Sequence, residues 1–537
     1  MEIAMSVKKA SFALHLLGVS VAIASGAAMA GPSFEIGERT TVDTTLTVNY
    51  TASVRTGKPA KQYLESLNND DGTRNFDRGS LITNRVSVFG EVLVRHDNLG
   101  AVLRGSHFHD EAYHGRNDND SPSTVNKGGR NDTFTRDTRR DSGGRARLLD
   151  AYVYGNFDVL DGQYVSLKAG RHLVAWGESL FWPNISQGQA PVDATKFNVP
   201  GTEAKDAYLP VGQFSASWSL NEDLALLGFY QYEWEETQLN PVGDYFNSSD
   251  IFGPGAEYFR FAAGDPQFTA LSYAGEEKPR DSGQWGLGMR YRLTDSTEVG
   301  LFHYRYHERV GALFFNFGGD TRYSSLSGSV APGTFKLGYF EDVELTGVSF
   351  SSKIGDAVQF AGDLSYRDGS AVYLDNGTPA RGEVWQANLN AMYLIGPTWL
   401  AHQTSLFGEV MHQHIESVDP VDITVDGVNI GSFDSFIYDG QTRGSTLFGL
   451  GAQMEHPNLF SGWDLATKVN WQQNLDGSAL QGIGRAEKRL TLGADLKYLG
   501  NFQVGMTYVD YLSSPNIAKG RMMADRDYLS FNAKYSF

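Results

Sequence analysis

Polar and apolar residues alternate one for one through segment after segment of this 537-residue chain, and the connections between segments are alternately short and long. A strand has a side-chain period of two, so each segment has one apolar and one polar face. In the first, Val42, Thr44, Leu46, Val48, Tyr50, Ala52 and Val54 share one face, and Asp43, Thr45, Thr47, Asn49, Thr51, Ser53 and Arg55 share the other. The pattern spans 40–55 and recurs near 84–95, 100–109, 147–157, 163–171, 212–220, 224–234, 284–293, 297–308, 342–352, 357–367, 383–394, 404–414, 446–455, 462–473, 488–498, 502–511 and 527–537. That is eighteen strands. Sixteen is the alternative, because 334–352 reads ambiguously. Short turns at 97–98, 158–162, 221–223, 294–296, 353–356 and 499–501 are interleaved with long connections such as 56–83, 110–146, 172–211 and 235–283. A closed antiparallel barrel of the outer membrane sorts its connections this way, short turns in the periplasm and long loops outside. A soluble sandwich has no reason to. The expected fold is a single all-β transmembrane barrel over 31–537, with an even strand number and both ends in the periplasm.

The two ends of the chain agree. In the last ten residues Leu529, Phe531, Ala533, Tyr535 and Phe537 share a face, and the chain stops on phenylalanine. Phe531, Tyr535 and Phe537 are therefore read as the insertion signal for barrel-assembly machinery, with outer-membrane lipids as the other partner. At the amino end Lys8 and Lys9 precede an apolar run, Phe12 to Ala24, and then Ala28-Met29-Ala30. This is the layout of a signal peptide covering 1–30 and cleaved near Ala30. No other window reaches the roughly 18 apolar residues of a membrane helix.

The sequence has no cysteine, which removes lipid anchoring through a thiol, disulfides and thiolate chemistry. Its net charge is −18, so a nucleic-acid partner is not expected. Mean hydropathy is mildly negative although 12% of residues are aromatic. A barrel needs apolar residues only at alternate positions, so its average stays low.

The polar faces point inward in such a barrel. They carry Arg85, Glu91, Arg95, Arg104, Lys168, Arg290, Asp363, Arg367 and Glu409. Two readings stand: an ion-paired network that fills and stiffens the lumen, or a track of arginines for anionic solutes. Residues 171–211 break the alternation. The stretch holds Trp176, Phe181, Trp182 and Phe197 with Pro183, Pro191, Pro200 and Pro210. A solvated loop this aromatic would be adhesive, so it is expected to fold inward as a plug or constriction, or else to pack against other outer loops. Trp176, Phe181, Trp182 and Phe197 are the candidate wall of a substrate site, with Arg171, His172 and Glu178 as its polar contacts. By contrast the polar loop 110–146 reads as mobile.

Catalytic and metal motifs are missing. There is no G-x-S-x-G elbow and no H-E-x-x-H. His107 and His109, His303 and His307, and His412 and His414 have no cysteine beside them, and the run Asn117-Asp118-Asn119-Asp120 lacks EF-hand spacing. No enzyme, cofactor or metal is expected.

The segments LDAYVYGNFDV, LKAGRHLVAWGESLFWPN, APVDATKF and PVGQFSASWSL within 149–220, and FKLGYFEDVELTGVSFSSKIGDAVQFAGDLSYRDG at 335–369, carry a family resemblance. They resemble the proteobacterial outer-membrane family catalogued as domain of unknown function 1302, over most of the chain. The resemblance implies an outer-membrane barrel encoded beside a periplasmic lipoprotein-like partner and a resistance-nodulation-division-type permease, near genes for hydrophobic compounds. With the aromatic segment, this makes transport of a hydrophobic or amphipathic molecule the leading expectation. A diffusion porin for small anionic solutes is the alternative, resting on Arg85, Arg95, Arg104, Lys168 and Arg290. A structural or adhesive barrel is the third.

Overall fold

The computed structural model describes residues 31–200, 202, 204–316, 333–374, 377–425, 428–433, 442–478 and 484–537. The expected leader, 1–30, and its cleavage site near Ala30 lie outside the described residues.

The alternating segments become eighteen barrel strands: β1 (Thr40–Arg55), β2 (Leu81–His96), β3 (Leu99–Asp110), β4 (Gly144–Leu160), β5 (Gln163–His172), β6 (Val211–Ser219), β7 (Leu224–Gln231), β8 (Gln284–Thr294), β9 (Thr297–Tyr306), β10 (Val343–Ile354), β11 (Val358–Tyr373), β12 (Pro379–Ile395), β13 (Gln403–Val418), β14 (Gly444–Phe460), β15 (Trp463–Gly477), β16 (Lys488–Tyr498), β17 (Phe502–Asp510) and β18 (Tyr528–Ser536). Each pairs antiparallel with the next. The sheet closes when β18 pairs with β1, from Thr47 opposite Ser536 to Arg55 opposite Tyr528. Closure leaves no unpaired strand edge to face lipid. Phe537 follows β18 with its N–H on the Leu46 carbonyl at 2.8 Å.

The faces sort as the alternation requires. Leu103, Leu287 and Leu389 lie on the outside and are 52%, 62% and 58% exposed, whereas Thr51, Gln213, Gln231, Ser530 and Asn532 are buried within. Tyr50, Trp218, Tyr291, Trp385, Tyr393 and Tyr498 join the exposed outer surface. Trp234 does not. It is buried against Tyr339 with ring centroids 4.9 Å apart, because β7 stops at Gln231 and Trp234 already belongs to the outer loops.

Two ambiguities are resolved by the loops. Thr334–Gly338 joins Tyr258–Arg260, Ala270–Glu277 and Ala312–Asn316 in a separate four-stranded sheet, leaving Val343–Ile354 to the barrel. The strand number is therefore eighteen and not sixteen. The segment 110–146, expected to be mobile, is instead a packed loop over 111–143: Tyr113, Val125 and Phe134 are buried. Its polar residues find partners in neighbouring loops. Asn126 Nδ2, for example, donates to Asn68 Oδ1 at 2.8 Å and to the Tyr258 carbonyl at 2.9 Å.

Candidate functional site

The loop 173–210 enters the barrel. Its first half crosses to the wall formed by β7 to β14. Gly177 turns the chain with φ +91°, and a Cβ there would lie 2.8 Å from Asp363 Oδ2. Five consecutive backbone amides then dock on two carboxylates. Glu178 and Ser179 donate to Asp363 at 2.9–3.0 Å, and Leu180, Phe181 and Trp182 donate to Glu409 Oε2, at 3.2 Å from Leu180 and 3.4 Å from Trp182. Asn388 Nδ2 donates to the Trp182 carbonyl at 2.9 Å and to Glu409 Oε1 at 2.5 Å. Asn184 Nδ2 donates to Asn388 Oδ1 at 3.0 Å, and Gln386 Nε2 to the Pro183 carbonyl at 2.9 Å. The Tyr304 hydroxyl donates to the Ile185 carbonyl at 2.7 Å. Asp363 lies five residues from the periplasmic end of β11 and ten from its outer end, so the loop reaches deep into the lumen.

The second half lines the opposite wall. Arg145 of β4 pairs with Asp193. Thr51 of β1 donates to the Pro200 carbonyl at 3.2 Å, and the Tyr528 hydroxyl of β18 donates to the Asn198 carbonyl at 3.3 Å. Lys196 Nζ donates to Ser106 Oγ of β3 at 3.3 Å. One loop thus touches strands around nearly the whole circumference.

The expected substrate wall is placed differently from expectation. Trp176 is 6% exposed, between Phe229 and Phe302 at 5.0 and 5.3 Å between ring centroids. Trp182 is 8% exposed in a cluster with Met411 and Leu447, and Phe181 stacks on Phe407 at 5.8 Å. These rings fasten the loop to the barrel. Phe197 is 54% exposed. Arg171 shares the outward face of Leu167 and Ala169, is tied to Glu233 and Glu235, and donates to the Pro210 carbonyl at 2.9 Å. His172 points inward but is 1% exposed, between the Gly170 carbonyl at 3.0 Å and Ser215 Oγ at 2.7 Å. Glu178 uses its main chain on Asp363, and its carboxylate lies 3.9 Å from Arg290.

All the expected lumen charges face inward, and most are neutralised locally. Arg85 pairs with Asp110 at 3.1 Å, Arg95 pairs with Asp43, and Arg104 pairs with Glu91 at 3.0 Å and Asp150 at 2.7 Å. Arg290 pairs with Glu298 at 3.1 Å. Arg367 donates to Gln187 and to Gln386, the latter at 2.8 Å. Lys168 lies over the Tyr152 ring at 5.6 Å. With Glu91, Arg104, Asp150 and Tyr154 it lines a recess of about 430 Å³. Sequence reasoning missed the inward belt of Gln213, Gln231, Gln284, Gln386 and Asn388, all buried. It also missed Phe229, Phe302 and Tyr304, aromatics on a face otherwise polar. Their phase along the strands was the available signal that something apolar lies inside.

Among solved structures, the chain is similar to OccAB3 of Acinetobacter baumannii, at 10% identity and a TM-score of 0.42 over 92% of this chain and 99% of that one. It is similar to OccK5 (OpdH) of Pseudomonas aeruginosa at 11% identity and 0.41, over 92% and 98%. It is also similar to the outer-membrane channel DcaP of Acinetobacter baumannii at 11% and 0.38, over 95% and 100%. No curated protein matches the chain in sequence. The architecture rests on the chain's own closed strand register, and the matching family model spans the barrel from end to end, from residue 11 to residue 537: the chain belongs to the family described as "Protein of unknown function (DUF1302)".

Proposed function

We propose that the protein is a constricted outer-membrane channel for small polar solutes, narrowed by its own inserted loop. The observation that carries this reading is the docking of amides 178–182 on Asp363 and Glu409, which holds the loop across the lumen. The loop's tryptophans are spent on that fastening, so they do not offer an apolar wall to a solute. What faces the remaining space is polar and of mixed sign, as in the recess of Arg104, Lys168, Glu91 and Asp150. Paired arginines present little net field, so the passage selects by width more than by charge. Lys168, with no carboxylate in salt-bridge distance among the described residues, is the contact for an anionic group.

The test is ion conductance of the purified protein in a planar bilayer. The intact chain is expected to give small discrete steps, and a variant lacking 174–209 to give steps several-fold larger. A silent bilayer for both proteins, with folding verified, would remove the channel reading.

A second reading, transport of a hydrophobic molecule with a periplasmic lipoprotein-like partner and a resistance-nodulation-division-type permease, has one observation in its favour. The membrane-facing wall of β3 to β7 holds a concavity of about 740 Å³ between Phe157, Phe214 and Tyr230, floored by Ala101, Gly155, Ala169, Ala216 and Gly228. A photoreactive lipophilic probe that labelled Phe214 and Tyr230 selectively over the rest of the belt would support it. Even labelling of the whole belt would count against it.

A further inference from the structure

Above the barrel, the outer loops enclose acidic groups that the passage does not use. Asp70 precedes, and Asp71 begins, the short helix Asp71–Arg74 in loop 56–80, and Asp250 comes from loop 232–283. One carboxylate oxygen of each lies within 4.8 Å of the others. The three side chains are 0%, 2% and 1% exposed.

Hydrogen bonds account for only part of this buried negative charge. Asp250 Oδ2 accepts from the amides of Asp70 at 2.8 Å and Asp71 at 3.3 Å. Asp71 accepts from the Asn126 amide at 3.0 Å and from Asn119 Nδ2 at 3.3 Å. Arg74 Nε at 2.5 Å and Thr124 Oγ1 at 2.8 Å both donate to Asp70 Oδ2. The other oxygen, Asp70 Oδ1, is buried and accepts nothing. Asn126, 0% exposed and bonded to Asp71 through its amide, also leaves its Oδ1 without a donor. The next cations do not supply the missing partner. Lys127 donates to the Arg130 carbonyl, and Arg260 to the Val125 carbonyl at 2.6 and 2.9 Å. Among the described residues Arg74 is the one cation bonded to the cluster, with Lys127 and Arg260 acting on Asp71 and Asp70 through charge alone, and a buried oxygen without a partner is disfavoured unless a cation or an ordered water takes the place of the donor.

We propose that Asp70, Asp71 and Asp250 hold one calcium ion, which ties loop 56–80 to loop 232–283 over the mouth of the barrel. Oxygens on a common calcium, each about 2.3–2.6 Å from it, stand up to about 5 Å apart, which the cluster satisfies. An enclosed set of protein oxygens suits calcium. Magnesium retains several waters in a strict octahedron. The ion would meet the outside medium, where sites of this kind work at about 10⁻⁴–10⁻³ M. Sequence spacing conceals the set, since Asp250 is 179 residues from Asp71.

The experiment is calorimetric titration of CaCl₂ into the full chain in detergent, stripped beforehand with a chelator, beside D70N and D250N. Folding of each protein is verified by its heat-dependent gel migration. The expected result is one saturable calcium per chain, weakened at least tenfold in each variant, with magnesium binding more weakly. Should a variant fail to fold, thermal unfolding of the intact chain gives the answer, with a midpoint higher in calcium than in equal magnesium. Absence of saturable binding, unchanged affinity in both variants, or equal midpoints in the two cations would overturn the proposal. In that case the three carboxyls share protons instead.

Discussion

Glu409 accepts three successive loop amides on one oxygen and takes the Asn388 side chain on the other. It is 1% exposed. Removing its carboxylate strands those donors inside the barrel. Hydrogen bonds to a charged acceptor contribute about 1.5–3 kcal/mol each, and partial replacement by water offsets some of that. E409A is therefore expected to loosen the docked loop by roughly 3 kcal/mol and to raise single-channel conductance, with E409Q intermediate. Bilayer recordings of the two variants check the order. Gly177 offers an independent route to the same loop. Its φ of +91° and the 2.8 Å approach to Asp363 leave no room for a methyl group. A side chain in the left-handed region costs about 1–2 kcal/mol before any clash, so G177A should increase conductance in the same direction while leaving the strand wall intact. The inward direction of Glu409 was legible from alternation alone. Its partner was not, because the amides it binds lie 228 residues earlier in a segment with no period.

At the scale of elements, strands and loops differ in how much of themselves they show. A strand's face is set by a local period, so β16 and β1 fall where the sequence places them. Loop 111–143 is built on polar contacts between distant segments, which no period reveals, and it therefore read as mobile. Composition marks the aromatic loop as a segment apart from the strands, but not where its rings go: Trp176, Phe181 and Trp182 pack on the wall of β7 to β14, while Phe197 stays exposed. That wall's Phe229, Phe302 and Tyr304 were the missing half of the pattern. Glu487, beside the start of β16, is a pH-dependent element of the same hidden kind. Glu487 is 2% exposed and accepts the Gly484 amide at 3.0 Å. Burial raises its carboxyl from 4.5 to about 7, with Arg489 and Arg521 opposing the shift. The folded form holds the proton more tightly than the unfolded one, so its stabilising contribution is complete below about pH 4.5 and is lost as pH rises through 7. Thermal unfolding should show stability falling across that window. E487Q should flatten the profile and raise the midpoint above pH 7. An unchanged slope in E487Q would place the dependence elsewhere.

The molecule as a whole is ordered by one inversion, with apolar residues outward and polar residues inward, and by one closure, β18 on β1. The inversion is stable only if the outer face meets hydrocarbon, which makes it measurable by depth. Leu389 lies on the outer face of β12, 58% exposed and opposite Val410 of β13, which is also exposed. Ile395 ends the same strand on the same face. Arginine on the lipid face of a barrel costs about 2–4 kcal/mol at the midplane and about 0–1 near an interface. L389R is thus expected to lower the folding free energy by roughly 3 kcal/mol, and I395R by no more than about 1. Denaturant titration of folding into lipid vesicles, read by heat-dependent migration, separates the two. The inward side supplies the control. Substituting Ser365, which is 1% exposed and donates to Asn184, should disturb the docked loop and the conductance without a dependence on membrane thickness. If L389R and I395R cost the same, the apolar band is not centred on Leu389. If neither costs anything, the outer face is not in lipid, and the channel loses its membrane.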